Sequence, residues 1–329
     1  MLNMNILSIV LLAPDTYIYI GWGIIALLSI IVGIVCWRTR KRWLRASLLL
    51  PLLLLWYIFL YGTYIGFHDL EVVRVELAFK DLPEAFDGYK IVQFSDLHLG
   101  TYEGRKDQLL RVVGNINAQN ADMVVFTGDL KNKEAPEIEP YLPLLSAIKA
   151  KDGVYSVLGN HDYAIYLKDP TPMEVQQNQG RTEAFEDEAG WALLMNTRVR
   201  IWRDSSNIVI AGMQNDGEPG GRFPQLGDIN SALSGIRRNE FVIMLEHDPS
   251  AWKRKILTHS HAQLTLSGHT HGGQFSLFGL TPASLIYKEC NGLYKVGERM
   301  LYVSKGVGGV VPFRFGTTPE IVVFTLKKK

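Results

Sequence analysis

Ser267-Gly268-His269-Thr270-His271-Gly272-Gly273-Gln274 follows an apolar, strand-like run, Gln263–Leu266. Two histidines, two residues apart, stand at the mouth of that run between glycines. In extended chain, residues i and i+2 point to the same side. Two imidazoles so placed can reach one metal centre or two adjacent ones. Glycine beside them lets backbone and solvent approach closely. A lone His-x-His pair is a weak signal. It gains weight here because Asp96-Leu97-His98, Gly128-Asp129, Gly159-Asn160-His161-Asp162 and Glu246-His247-Asp248 also stand at or near the ends of apolar runs.

Working outward, those runs read as strands. Val73, Val75, Leu77 and Phe79 alternate with Arg74, Glu76, Ala78 and Lys80, the pattern of a half-buried strand. Short apolar runs follow at Lys90–Phe94, Met123–Thr127, Val154–Leu158, Ile208–Gly212, Phe241–Leu245, Met300–Val303 and Ile321–Leu326. Helix-like stretches separate several of them: Lys106–Ala118, Ile138–Lys149, Thr182–Ala189 and Ser250–Thr258. Strands alternating with helices predict a layered α/β domain over residues 68–329. In such folds the site lies beyond the carboxyl ends of the strands, which is where the Asp- and His-bearing motifs fall. Tyr163–Gly180, with two prolines and little periodicity, reads as a loop.

Residues 1–67 read differently. Tyr17–Trp37 and Ala46–Phe67 carry no charged side chain. At helical rise each spans about 30 Å, the thickness of a bilayer core. Between them Arg38, Arg40, Lys41, Arg42 and Arg45 form a basic turn. The pattern predicts a transmembrane helical hairpin, 17–37 and 46–67, with the tryptophans at its interfaces. No Lys or Arg precedes the first run, and only Arg74 and Lys80 follow the second within 15 residues. The positive-inside rule therefore puts the turn in the cytoplasm and the large domain on the extracytoplasmic side of the cell membrane. The short run Ile6–Leu12 would extend the first helix or add a tilted segment.

A formal net charge of +1 over 329 residues gives no electrostatic case for nucleic acid as a partner. With only two cysteines, any metal must be held by nitrogen and oxygen. Asp96 and His98 can face one cation; Asp129 can bridge two; Asn160 offers an amide oxygen; His247, His269 and His271 offer imidazoles. Mixed N/O ligation suits Mn, Fe or Zn better than Mg or Ca.

The ordered set Asp96-x-His98, Gly128-Asp129, Gly159-Asn160-His161-Asp162, His247 and Gly268-His269-x-His271 resembles the calcineurin-like metallophosphoesterase superfamily, in particular its bacterial membrane-associated phosphodiesterase-like branch. The resemblance runs from about Glu71 to Leu326. It implies a two-sheet sandwich flanked by helices and two divalent metal ions. Asp96, His98, Asp129 and His271 would hold the first metal, and Asp129, Asn160, His247 and His269 the second. His161 would protonate the leaving oxygen or stabilise the transition state, with Asp162 orienting its ring. The chain departs from the frequent Gly-Asp-x-x-Asp pattern by placing Asn132 last, so a charge near the metals is missing. The implied activity is hydrolysis of a phosphate ester, a phosphodiester first and lipid-linked substrates included, by hydroxide held between the metals. The alternatives are a pyrophosphohydrolase of nucleotide-linked lipid precursors, which would need a cytoplasmic site, and a non-catalytic membrane scaffold. Arg314 is expected on the surface, with contact to the substrate phosphate as the alternative, and Phe275, Leu277, Phe278 and Leu280 are expected to pack beneath their loop, with an apolar rim for a lipid-like substrate as the alternative.

Overall fold

The computed structural model describes residues 13–329; the Ile6–Leu12 run lies outside them. Two apolar helices come first, α1 (Pro14–Arg38) and α2 (Arg42–Tyr61). Both begin earlier than the uncharged runs suggested, because helix formation needs neither wholly apolar nor uncharged ends. Pro14 supplies a preset φ at the start of α1. α2 runs on as a wider π-helical turn, Gly62–Gly66. The two helices lean together through Trp22, edge-on to Trp56 at 5.2 Å and to Phe59 at 5.6 Å. Trp56 Nε1 also donates to Ser29 Oγ at 3.1 Å. Ile30, Leu50 and Leu53 remain exposed, and each helix is long and apolar enough to cross a membrane.

The strands among the described residues are β1 (Glu71–Phe79), β2 (Lys90–Phe94), β3 (Met123–Phe126), β4 (Val154–Ser156), β5 (Ala192–Leu193), β6 (Thr197–Arg203), β7 (Ser206–Gly212), β8 (Phe241–Leu245), β9 (Leu264–Ser267), β10 (Gly292–Val296), β11 (Arg299–Val303) and β12 (Glu320–Lys328). They form two six-stranded mixed sheets, ordered β1-β12-β2-β3-β4-β5 and β10-β11-β9-β8-β7-β6. Strands β2, β3 and β4 are parallel, as are β7, β8 and β9. Successive side chains serve opposite faces. Ile91, Val125, Ile243 and Leu264 fill the layer between the sheets. Val92 and Val124 instead meet Leu109, Val112 and Ile116 of a covering helix, α3 (Lys106–Ala118). Burial on both faces explains why these strands read as continuous apolar runs.

Several local expectations needed correction. Ile138–Lys149 is not one helix: only Leu142–Leu145 is α-helical, after two 3-10 turns. Pro140 and Pro143 each remove an amide donor there. The helix expected over Thr182–Ala189 is longer, α4 (Pro172–Glu188), and takes up part of the presumed loop. Thr171 starts it, accepting the Glu174 amide in a capping box with proline next. Strands β5, β6 and β10 went unread. Strands β6 and β10 are sheet edges whose outward residues, Arg198, Arg200 and Lys295 among them, dilute the apolar pattern.

Candidate metal centre

The carboxyl ends of β2, β3 and β4 meet those of β8 and β9 along one edge of the sandwich. Gln93 Nε2 ties the sheets there, donating to Ser267 O at 2.9 Å and to Thr127 Oγ1 at 3.0 Å. Beyond this edge the chain turns sharply. Asp96, His98, Asp129, His269 and His271 all have left-handed backbone, with φ of 56°, 52°, 63°, 75° and 53°. Their side chains therefore converge through turns, not through the extended i, i+2 geometry read from the sequence. Such conformations are costly for non-glycine residues and gather at functional sites. The loops also press together: a Cβ on Gly159 would strike the Asp129 carboxylate, and one on Gly268 would strike Ser95.

Six of the seven candidate donors come together in two groups that share one residue, and Asn160 lies beside the second. Asp96, His98, Asp129 and His271 form the first; Asp129, His247 and His269 form the second. His98 Nε2 lies 3.3 Å from His271 Nε2 and 3.5 Å from Asp129 Oδ2. His271 Nε2 lies 3.5 Å from Asp96 Oδ1. In the second group His247 Nε2 is 3.3 Å from Asp129 Oδ2, 3.2 Å from His269 Nδ1 and 3.2 Å from Asn160 Oδ1. Donor atoms each about 2.1 Å from one cation stand about 3.0 Å apart at right angles and about 3.4 Å apart at the tetrahedral angle. The observed spacings match that range, so the residues present fit divalent metal.

Outer contacts hold these rings. His247 Nδ1 donates to Thr127 O at 2.6 Å. His269 turns Nε2 to the Tyr287 hydroxyl at 2.7 Å, with Asp248 Oδ2 at 3.7 Å. Asn160 Nδ2 donates to Tyr166 Oη at 3.1 Å, which leaves its oxygen to the metal side. Burial shifts the protonation of every group in the cluster. Burial holds His98 and His271 well below the ordinary imidazole range and takes His269 down to about 4. These rings are neutral, the form that binds metal. Burial also lifts Asp96 to about 7. It opposes charge on His247 and Asp129 as well, but their mutual contact outweighs it. His247 rises to about 10 and Asp129 falls well below the carboxylate range.

His161 sits beside the first group, its ring 4.6 Å from that of His98 and stacked on Tyr166 at 4.0 Å. Its backbone N–H donates to Asp129 Oδ1 at 2.9 Å. The expected role of Asp162 is corrected here. Its carboxylate does not orient the His161 ring; it accepts the backbone N–H groups of Asp129 and Gly159, both at 2.9 Å, and of Leu130 at 3.0 Å. The ring is oriented by the Asn132 carbonyl, 2.6 Å from Nδ1. Asn132 thereby has a use through its backbone, while its amide Nδ2 donates to Thr101 Oγ1 at 2.9 Å.

Arg314 is also corrected. It is buried, not on the surface, and donates to the carbonyls of His271 at 2.8 Å and Gly308 at 2.5 Å. It therefore clamps the loop that carries a donor. Asp129, Asn160, His269 and His271 open into a cleft of about 860 Å³, also lined by Tyr17, Tyr166, Arg222, Phe223 and Tyr287. None of these was read as a site residue. Only Tyr166 had a local signal, its nearness to Asn160 and His161.

Residues 89–273, which contain every candidate donor, match the family model described as calcineurin-like phosphoesterase. A Danio rerio protein described as a transmembrane protein with metallophosphoesterase domain is 33% identical over 276 residues, covering 82% of this chain and 60% of that protein. The chain thus spans less than two thirds of that relative's length. The uncharacterized metallophosphoesterase YkuE of Bacillus subtilis is 33% identical over 278 residues, covering 81% of this chain and 89% of its own. An Aquifex aeolicus metallophosphoesterase is 30% identical, with 95% of its length covered. The matched segment is thus the one that folds around the donor cluster, and the chain belongs to the calcineurin-like phosphoesterase family as a metal-dependent phosphoester hydrolase.

Proposed function

We propose that this chain is a membrane-anchored phosphodiesterase with a dinuclear metal centre on the extracytoplasmic side of the membrane. The observation that carries the reading is Asp129, whose carboxylate belongs to both donor groups. In this reading Asp96, His98, Asp129 and His271 hold one cation, and Asp129, Asn160, His247 and His269 the other. Two divalent cations of the Mn, Fe or Zn kind supply Lewis acidity toward a phosphoryl oxygen and acidify a water molecule. The water oxygen forms the new bond to phosphorus as the ester P–O bond breaks. His161 delivers the proton to the leaving oxygen. The Asn132 carbonyl engages Nδ1, so Nε2 is the nitrogen that transfers it. Burial lowers the His161 pKa, while the Asp129 carboxylate and the Asn132 carbonyl favour its protonated form.

Two observations support the anchoring. Both helices keep their apolar faces outward, and the Danio rerio relative is described as a transmembrane protein. The domain meets the open end of the hairpin: Arg105 pairs with Asp15 at the start of α1, and the Arg314 N–H donates to Gly62 O at 2.9 Å beyond α2. The basic turn lies at the other end, so the two sit on opposite sides of a bilayer spanned by α1 and α2. The test is metal-stripped, full-length protein in detergent, titrated with Mn²⁺ and assayed with bis(p-nitrophenyl) phosphate. Two metal ions per chain and metal-dependent hydrolysis are expected, both reduced by Asp129→Asn because a neutral amide cannot balance two dications. One ion per chain, or full activity in that variant, would overturn the reading.

A further inference from the structure

The cleft has two kinds of lining. Polar groups include the donors Asp129, Asn160, His269 and His271 with Arg222, the only Lys or Arg among the described residues that line it. Apolar lining comes from Tyr17, Ala283, Ile286, Val310 and Val311. Tyr17 belongs to α1, so a helix long enough to cross a membrane supplies part of the wall of the reaction site. The loop after the metal histidines continues this surface. Phe278 is 95% exposed, Leu280 74%, Leu285 89% and Ile286 79%. Side chains of this kind, so fully exposed and so close in sequence, are not what a domain surrounded by water presents. Of Phe275, Leu277, Phe278 and Leu280, expected to pack beneath the loop or else to form an apolar rim, only Phe275 is not exposed. It stacks on Phe315 at 5.8 Å, and Phe315 in turn lies edge-on to Tyr57 and Tyr61 of α2 at 6.2 and 5.7 Å. The base of the exposed loop is thus continuous with the contact between domain and hairpin. Leu277 and Leu280 close its tip through mutual backbone hydrogen bonds at 3.0 Å.

We propose that the cleft takes its substrate from the bilayer: Phe278, Leu280 and Leu285 dip into the leaflet beside the hairpin, and the Tyr17–Ile286–Val311 wall receives the hydrocarbon tail of a lipid phosphoester whose phosphate reaches the metal donors. This rests on the anchored-phosphodiesterase reading and names its substrate class. Amphipathic geometry does the selecting. Burying a methylene chain along the apolar lining favours a long alkyl ester, while the phosphate stays among the polar groups. The hairpin holds the cleft at the depth of the head groups, where such substrates are concentrated.

The experiment compares two chromogenic diesters of equal chemistry, methyl p-nitrophenyl phosphate in water and hexadecyl p-nitrophenyl phosphate in phosphatidylcholine vesicles carrying the full-length protein. Hydrolysis of either yields the alkyl phosphate and p-nitrophenol, with water consumed. The expected result is at least a tenfold higher kcat/KM for the hexadecyl ester. Phe278→Ser/Leu280→Ser/Leu285→Ser, all outside the cleft, should abolish that preference and leave methyl ester hydrolysis unchanged. A second readout needs no turnover: the tryptophan fluorescence added by Phe278→Trp should be quenched by phosphatidylcholine brominated on its acyl chains. Equal rates on both esters, or added fluorescence in the Phe278→Trp variant untouched by brominated lipid, would overturn the proposal while leaving the phosphodiesterase reading intact. Failure to hydrolyse the methyl ester as well would remove that reading itself.

Discussion

Asp162→Asn isolates what the structure assigns to a residue that sequence comparison would call part of the catalytic pair. Asp162 is fully buried. Its Oδ2 accepts from Asp129 N and Gly159 N, each at 2.9 Å, and its Oδ1 from Leu130 N at 3.0 Å and Lys131 N at 3.4 Å. Asparagine is nearly isosteric but replaces one oxygen with a donor. Whichever way the amide turns, an NH₂ group faces two backbone N–H groups that have lost their acceptor. Each such loss costs about 1–3 kcal/mol in a buried site, so the pair costs roughly 2–6 kcal/mol. At roughly 2–4 °C per kcal/mol, the metal-loaded protein should lose at least about 4 °C in Tm. Because the freed segment carries Asp129, metal content should fall in the same variant. Differential scanning calorimetry and elemental analysis on protein in detergent measure both. An unchanged Tm with both metals retained and turnover alone slowed would refute the reasoning. It would return Asp162 to a role on the His161 ring.

Three further outcomes are expected. His161→Gln should keep both metals and lower kcat by about 10²–10⁴-fold, the usual worth of a general acid; loss of metal from this variant, measured by elemental analysis, would show that His161 is a ligand. Burial raises the Glu186 carboxyl well above its ordinary 4.5, with Ser156 Oγ–H donating to one oxygen and no partner for the other among the described residues. The folded chain keeps a proton that the unfolded chain releases, so this group's stability contribution is full below the unfolded pKa and is lost as pH rises toward the folded one. Glu186→Gln should therefore raise Tm at about pH 8 and leave it unchanged at about pH 4, and an equal shift at both would contradict the assignment. A reporter active only in the cytoplasm, fused after Lys329, should stay inactive if the basic turn faces inward; activity would reverse the topology and favour a nucleotide-linked lipid pyrophosphate as substrate.

The sequence by itself determined the chemistry and the order of the parts. Apolar runs ending in Asp96, Asp129, Asn160, His247 and His269 are local patterns, written in neighbouring residues, and they gave both the strands and the candidate donors. The uncharged runs and the basic turn between them gave the hairpin in the same way. What the tertiary structure alone decided are relations between distant segments. His98 and His271 are 173 residues apart and meet at 3.3 Å because two sheets present their carboxyl ends to one edge. His269 and His271 fall in different donor groups, as the family resemblance implied, but both take left-handed backbone, which the extended-chain argument does not contain. Asp162 bonds backbone amides, and Arg314 is buried against the His271 loop, since neighbours in space rather than in sequence set a polar group's partners. Tyr17 lines the cleft because the hairpin docks beside it. Packing between elements does not depend on the pattern within any one of them. A sequence read element by element therefore finds the donors and leaves their second contacts, their conformation and the apolar wall to the fold.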